Sequence, residues 1–201
     1  MSLNLPRPIR YAITSGATTA RTTPADPEFA AILRWVEAAV AAQISLIQIR
    51  EKLMSARVLY KLARRAAALT LHTSTKLLLN DRFDIALAAG ADGVHLTEHS
   101  LPASIVREIC DRDFLIGVST HSLATAQLAA NAGADFVVFG PVFETESKRA
   151  YGPPQGLDKL REVTGALAGF PVLAIGGINA GNADECLRAG ASGIAGISLF
   201  Q

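Results

Sequence analysis

Three stretches of the chain share one pattern: AAGADGVHL (88–96), NAGADFVVF (131–139) and RAGASGIAGI (188–197). In each stretch a helical segment ends at a glycine, and Ala-Asp or Ala-Ser then leads into an apolar run. A glycine is favoured just after a helix because it adopts left-handed backbone angles without steric penalty. The repetition indicates one helix-to-strand joint that the chain uses several times, as in a parallel sheet covered by helices.

The rest of the 201-residue chain shows the same alternation of strand-like and helix-like segments. Short apolar runs predict eight strands: Ile9–Thr14, Leu46–Arg50, Lys76–Asn80, Gly93–Leu96, Phe114–Ser119, Phe136–Gly140, Val172–Gly176 and Gly193–Ser198. Segments rich in Ala, Leu and Arg predict seven helices: Pro27–Ala42, Ser55–His72, Arg82–Ala89, Pro102–Cys110, Leu123–Asn131, Gly156–Ala168 and Ala180–Ala189. This order predicts an α/β protein, a (β/α)8 TIM barrel that forms a single domain over residues 1–201.

Two further observations bear on the barrel. A doubly wound open sheet is the alternative, but Thr14 to Thr18 after the first strand contain one glycine, not a G-x-G-x-x-G loop. The chain ends directly after the eighth strand, so the last helix of a full barrel is predicted to be absent from this sequence. Apolar surface left by that helix would suit a homo-oligomer.

Composition excludes several classes of function. Half of the residues are hydrophobic and the net charge is only +1, which argues against general nucleic-acid binding. No apolar run has the length and continuity of a signal peptide or a membrane span. Cys110 and Cys186 form no CxxC motif, so a reducing, cytoplasmic location is predicted.

The stretch IQIREKL (47–53) places Gln48, Arg50 and Lys52 on one face of the second strand, because side chains alternate across a strand. In a barrel that face points inward, and active sites lie at the carboxyl ends of the strands. An amide, a guanidinium and an ammonium at this rim predict binding of an anionic ligand.

Polar residues follow most of the other strands. The further candidates at strand ends are Asn80, Asp81, Ser119, His121, Thr145, Ser147, Lys148, Gly176, Gly177 and Ser198. Asn80-Asp81 could also cap the next helix. His121 lies just beyond a strand and is the better candidate for proton transfer, whereas His95 lies within a strand and is predicted to be a hydrogen-bonded core residue.

One segment of the sequence predicts phosphate binding, and another predicts a lid over the site. AIGGI (174–178) exposes backbone N–H groups before a helix, in the loop after strand seven that often binds phosphate in barrels. The long connection 141–156 carries Thr145, Ser147 and Lys148 between glycines and prolines, which is typical of a lid. The ligands expected here are small-molecule phosphates.

The motifs resemble the thiamine phosphate synthase and TenI family of (β/α)8 barrels over nearly the whole chain. The resemblance is carried by QIREK (48–52), LNDRFDIALAAGADGVHL (79–96), GVSTHS (117–122), GADFVVFGPVFETESK (133–148) and PVLAIGGI (171–178) with GASGIAGIS (190–198). The synthases join hydroxymethylpyrimidine diphosphate to thiazole phosphate, by way of a pyrimidine carbocation, and release pyrophosphate.

The resemblance also implies roles for individual residues. The residues that the resemblance implies for binding the pyrimidine and the diphosphate are Gln48, Arg50, Lys52, Asn80 and Lys148. It also implies that Asp81 is a Mg²⁺ ligand. The residues around the thiazole phosphate are Thr145, Ser147, Gly177 and the segment Ile197–Ser198.

Two departures from the synthase pattern leave the activity open. The position of the second Mg²⁺ acid is Ser100 in GVHLTEHSLP (93–102), with Glu98 nearby but out of register, which weakens a Mg²⁺ site. The lid FETESK resembles the TenI branch, which includes thiazole tautomerases with a histidine proton shuttle, here His121. The synthase is favoured because Gln48, Lys52 and Asp81 are present; the alternatives are a tautomerase and a non-catalytic binder of phosphate metabolites.

Overall fold

The computed structural model describes residues 5–145 and 153–200, and it forms a closed barrel of parallel strands in the order β1 to β8. The strands are β1 (Ile9–Ile13), β2 (Leu46–Ile49), β3 (Lys76–Asn80), β4 (Gly93–Leu96), β5 (Leu115–Thr120), β6 (Phe136–Phe139), β7 (Val172–Ile175) and β8 (Gly193–Gly196). The helices of the described residues are α1 (Pro27–Ala41), α2 (Ala56–Thr70), α3 (Phe83–Ala89), α4 (Ala103–Ile109), α5 (Leu123–Asn131), α6 (Gly156–Ala166) and α7 (Ala183–Arg188). The predicted (β/α)8 barrel is confirmed. The helix expected from Ala180 begins only at Ala183, because residues 179–182 form a turn first.

The strand register divides the side chains into an inner and an outer layer. Tyr11 is level with Leu46 on β2 and with Ala195 on β8, and the same alternation continues around the barrel. The apolar inner layer consists of Ile9, Tyr11, Ile13, Leu46, Leu78, Phe136, Val138, Leu173 and Ala195. Residues one position along, such as Ile47 and Val137, point outward and pack against the helices. The barrel interior is therefore a packed core, and a ligand must bind above it.

The repeated glycine joint behaves as its sequence predicts. The glycine after each of the three helices has a left-handed φ: +73° at Gly90, +90° at Gly133 and +92° at Gly190. A side chain would be strained at these angles, so glycine is the residue that turns the chain from helix into strand.

In the two joints that carry an aspartate, its carboxylate ties neighbouring strands together. Asp92 Oδ2 accepts a hydrogen bond of 2.9 Å from the N–H of Leu77 at the start of β3, and its Oδ1 pairs with Lys76. Asp135 Oδ2 accepts from the N–H of Ile116 at 2.7 Å and pairs with Arg107. These contacts lie at the amino-terminal ends of the strands, opposite the carboxyl ends that carry the predicted site residues.

Candidate active site

A chain of three polar side chains crosses from β1 to β3 at the carboxyl end of the barrel. The hydroxyl of Tyr11 donates to Gln48 Oε1 at 3.2 Å, and Gln48 Nε2 donates to Asn80 Oδ1 at 3.2 Å. Gln48 is 1% exposed, and burial raises the pKa of Tyr11 well above its ordinary value. The side-chain oxygens of Gln48 and Asn80 both accept within this network. Among the described residues no acceptor is found for the Asn80 amide N–H groups, so they can donate to a ligand.

Arg50 lies directly after β2, at the edge of the hydrogen-bonded network of Tyr11, Gln48 and Asn80. Its backbone N–H donates to Thr14 Oγ1 at 2.8 Å, and its guanidinium lies near Gly16, where an added Cβ would be 3.7 Å from Nη1. Next to it, the buried carboxylate of Glu51 accepts from the N–H of Thr18 at 3.1 Å and from its hydroxyl at 2.6 Å. The loops after β1 and β2 are thereby joined, with Arg50 between them.

His95 lies buried in the barrel interior on β4. Its Nε2 is 2.8 Å from Ser119 Oγ, and its ring packs beside those of Tyr11 and Phe136. Desolvation by burial, followed by the charge of Arg50, lowers the pKa of His95 to about 3, so the ring is neutral at pH 7. Its Nδ1 is buried without a partner in the described residues. The tautomer that avoids an unpaired buried N–H has the proton on Nε2 and donates to Ser119, which leaves the Ser119 hydroxyl hydrogen for a ligand.

His121 lies just beyond β5 at the rim. Its Nδ1 forms a short hydrogen bond with the carbonyl oxygen of Gly140, at the end of β6. A carbonyl only accepts, so Nδ1 carries the proton in the neutral ring and Nε2 is left as a base. The geometry therefore suits proton transfer at Nε2.

The acidic residues at the rim supply few ligands for the metal ion that the sequence predicts. Asp81 follows β3 with a left-handed φ of +65° and is exposed at the rim. Ser100 Oγ instead accepts from the N–H of Thr97 at 2.7 Å and closes the turn after β4. Within residues 5–145 and 153–200, no three His, Cys, Asp or Glu side chains group closely enough to hold a metal ion. This donor set fits only a Mg²⁺ that takes most of its ligands from substrate and water.

The glycine pair after β7 lies against the loop after β6. Gly176 and Gly177 have φ of +97° and +64°, and an added Cβ would lie 2.5 Å from Pro141 Cβ and 2.4 Å from the Glu144 carbonyl oxygen, respectively. Only glycine fits both the backbone angles and this close approach. The pair lies several residues before α7 begins, so its N–H groups act without the helix N-terminus that the sequence indicated.

The remaining candidates lie around the same rim. Thr145 is partly buried in the loop after β6, Lys52 is exposed after β2, and Ile197 and Ser198 are exposed after β8. Ser147 and Lys148 lie outside the described residues, so their roles stay predictions. The structure thus places the other predicted site residues at the carboxyl ends of their strands, on one face of the barrel.

Comparison with known proteins decides the family. The model of the thiamine monophosphate synthase family matches residues 20–200. The chain belongs to this family. A protein of Geobacter sulfurreducens is 50% identical over 169 residues, 84% of this chain and 79% of its own. The thiamine-phosphate synthase of Clostridium novyi is 43% identical over 165 residues, 82% of this chain and 80% of its own.

A solved structure agrees with the thiamine monophosphate synthase assignment. The thiamine phosphate pyrophosphorylase of Pyrococcus furiosus is 34% identical, with a TM-score of 0.78, and the match covers 94% of this chain and 86% of that one. None of the helices in the described residues has both the length and the apolar character needed to cross a membrane.

Sequence reasoning missed several supporting residues of the candidate site, among them Tyr11, Thr14 and Glu51. Tyr11 could have been found, because it shares the inward parity of Ile9 and Ile13 on β1. The burial of Glu51 could not be predicted in this way. It lies between Arg50 and Lys52 in the sequence, where a charged residue is expected to be exposed. Both cysteines, Cys110 and Cys186, are free and buried.

Proposed function

We propose that this protein is a thiamine phosphate synthase, which joins hydroxymethylpyrimidine diphosphate to thiazole phosphate and releases pyrophosphate. The observation that carries the proposal is the Tyr11–Gln48–Asn80 chain beside Arg50. Amide groups held in fixed directions suit the ring nitrogens and amino group of a pyrimidine, and the adjacent guanidinium suits the diphosphate.

The charges around this site favour loss of pyrophosphate. Breaking the bond between the pyrimidine methylene carbon and the diphosphate oxygen leaves positive charge on the carbon and negative charge on the leaving group. Arg50, Lys52 and Lys148 are the cations proposed to stabilise the leaving group. His95 below the pyrimidine is neutral at pH 7, so it places no positive charge against the developing carbocation. The thiazole nitrogen then attacks that carbon.

Asp81 would hold Mg²⁺ together with diphosphate oxygens. Mg²⁺ commonly binds through one or two carboxylates plus substrate phosphates, so a single aspartate is compatible with a metal that arrives with the substrate. Bound there, the ion supplies further positive charge to the departing pyrophosphate. On the opposite side of the rim, Gly176, Gly177, Thr145, Ser147 and Ser198 are proposed to hold the phosphate of the thiazole.

The direct test supplies both substrates with Mg²⁺ to the purified protein and measures thiamine phosphate. We expect turnover in the wild-type protein and its loss in Arg50→Ala. The matched control is Arg34→Ala, which removes the same charge from the exposed face of α1 and should retain full activity. Absence of product at high protein concentration contradicts the synthase.

A thiazole tautomerase is the second candidate, because His121 presents Nε2 as a base at the rim. This activity predicts isomerisation of the thiazole phosphate carboxylate without Mg²⁺, suppressed in His121→Gln. The same variant separates the two candidates. If the synthase proposal is right, His121→Gln retains formation of thiamine phosphate from the two synthase substrates.

A further inference from the structure

We propose that Asn182 is a positioning residue for the phosphate of the thiazole substrate, an inference that rests on the proposed function. Asn182 occupies the N-cap position of α7, where a side chain ordinarily accepts from the helix's own N–H groups, yet it makes no such bond. Its Nδ2 instead donates to the carbonyl oxygen of Gly177 at 3.0 Å. The side chain therefore acts on the glycine pair rather than on its own helix.

The other oxygen of the pair is also held. The N–H of Phe143, in the loop after β6, donates to the carbonyl oxygen of Gly176 at 3.0 Å. Both peptide groups are trans, so in each one the N–H points opposite to the carbonyl. Fixing the two carbonyl oxygens thus fixes the directions of the Gly177 and Ile178 N–H groups.

These two N–H groups have no acceptor in the described part of the chain. They belong to partly buried residues at the carboxyl end of β7, where unpaired N–H groups are satisfied by water or by a ligand. Consecutive N–H groups of this kind form a concavity for an anion. The phosphate of the thiazole is the anion that the proposed reaction brings to this side of the rim.

Asn182 also organises the turn that carries it. Its Oδ1 accepts from the N–H of Asn179 at 2.8 Å, while Asn179 Oδ1 accepts from the N–H of Gly181 at 2.8 Å. The donor and acceptor of Asn182 can therefore be separated by mutation. Asn182→Asp retains an acceptor for the Asn179 N–H but has no donor for the Gly177 carbonyl, whereas Asn182→Ala loses both.

The test compares wild type, Asn182→Asp, Asn182→Ala and the control Asn179→Ala. Asn179→Ala removes a bond of the same turn but leaves the bond to Gly177 in place. Calorimetric titration with thiazole phosphate should give a dissociation constant raised about 5- to 10-fold in both Asn182 variants and unchanged in Asn179→Ala. The KM for thiazole phosphate should rise similarly, while kcat and the KM for the pyrimidine diphosphate stay near wild type.

Amide spectra supply a readout that a general loss of stability would not change. In the wild type, the Gly177 and Ile178 N–H resonances should move downfield when thiazole phosphate binds, and this movement should shrink in Asn182→Asp. Wild-type affinity in Asn182→Asp, or equal weakening in Asn179→Ala, overturns the inference. If the wild type binds thiazole phosphate through Asn182 but makes no thiamine phosphate, the proposed function fails and the inference stands.

Discussion

Gln48 and Asn80 are joined across neighbouring strands by a hydrogen bond of 3.2 Å from Gln48 Nε2 to Asn80 Oδ1. Tyr11 donates to the oxygen of Gln48 at the other end of this amide, so the three side chains form one hydrogen-bonded network across β1, β2 and β3. The hydroxyl of Tyr11 thus supplies a hydrogen bond that the buried oxygen of Gln48 would otherwise lack. The network would hold both amides in place at the proposed pyrimidine subsite before any ligand binds.

Tyr11→Phe tests that orientation. The substitution leaves the buried oxygen of Gln48 unpaired, so the free energy of unfolding should fall by about 1–2 kcal/mol. We expect the KM for the pyrimidine diphosphate to rise roughly five-fold with little change in kcat, because a loosened amide weakens binding more than chemistry. Urea unfolding and steady-state kinetics measure the two effects.

The matched control is Tyr60→Phe on α2. There the hydroxyl accepts from exposed Arg64 at 3.2 Å, and its loss should change stability by less than about 0.5 kcal/mol. Equal kinetic behaviour of the two variants would rule out a role for Tyr11 in orienting Gln48.

His95 makes folding sensitive to acid. Its pKa is about 3 in the folded protein, against an ordinary value of 6.5, so the unfolded chain binds more protons between these pH values. Its contribution to stability is therefore complete above pH 6.5 and is lost as the pH falls toward 3. Between pH 7.5 and 5 the wild type should lose about 2 kcal/mol more than His95→Asn.

Urea unfolding of both proteins at the two pH values gives this difference directly. His95→Asn starts from lower stability at pH 7.5, because it leaves a void beside Phe136 and changes the bond to Ser119. The comparison uses only the change in the free energy of unfolding between the two pH values. The lower stability of His95→Asn at pH 7.5 therefore does not affect the result. An identical loss in both proteins would mean that the pKa of His95 is the same in the folded and the unfolded chain, which contradicts its lowering by burial.

Two glycine substitutions should have opposite effects on stability. In Gly117→Ala the added Cβ would lie 2.3 Å from Phe136 Cζ and 2.8 Å from His95 Nδ1, so the free energy of unfolding should fall by about 1–3 kcal/mol. In Gly165→Ala, within α6, nothing lies within 4 Å of the added Cβ, so stability should rise by about 0.5–1 kcal/mol. Thermal or urea unfolding compares them, and similar shifts would contradict the packing of His95 against β5.

The fold was predictable from sequence because its determinants are local and repeated. The joint glycines, the strand runs and the alternation in IQIREKL all act within a few residues, and each points to the same barrel. The hydrogen bond of Ser119 could not be predicted in this way. Its partner His95 lies on another strand, and only the strand register brings the two side chains together. Asn182 was missed for the same reason, since its target is a backbone oxygen that no sequence pattern marks. Mg²⁺ binding, the roles of Ser147 and Lys148, and homo-oligomer formation stay predictions.

Ser100→Asp should strengthen Mg²⁺ binding beside Asp81. The aspartate restores the second carboxylate that the resemblance places after β4, and it can still accept from the N–H of Thr97, now 2.7 Å from Ser100 Oγ. The Mg²⁺ concentration for half-maximal turnover should fall about tenfold, since carboxylates set the affinity of such sites. Mn²⁺ binding followed by electron paramagnetic resonance in the presence of pyrophosphate checks the same change without turnover. The control Ser104→Asp adds an equal charge on the exposed face of α4 and should leave both readouts unchanged. A shift of equal size in that control would show that net charge, not coordination, produces the effect.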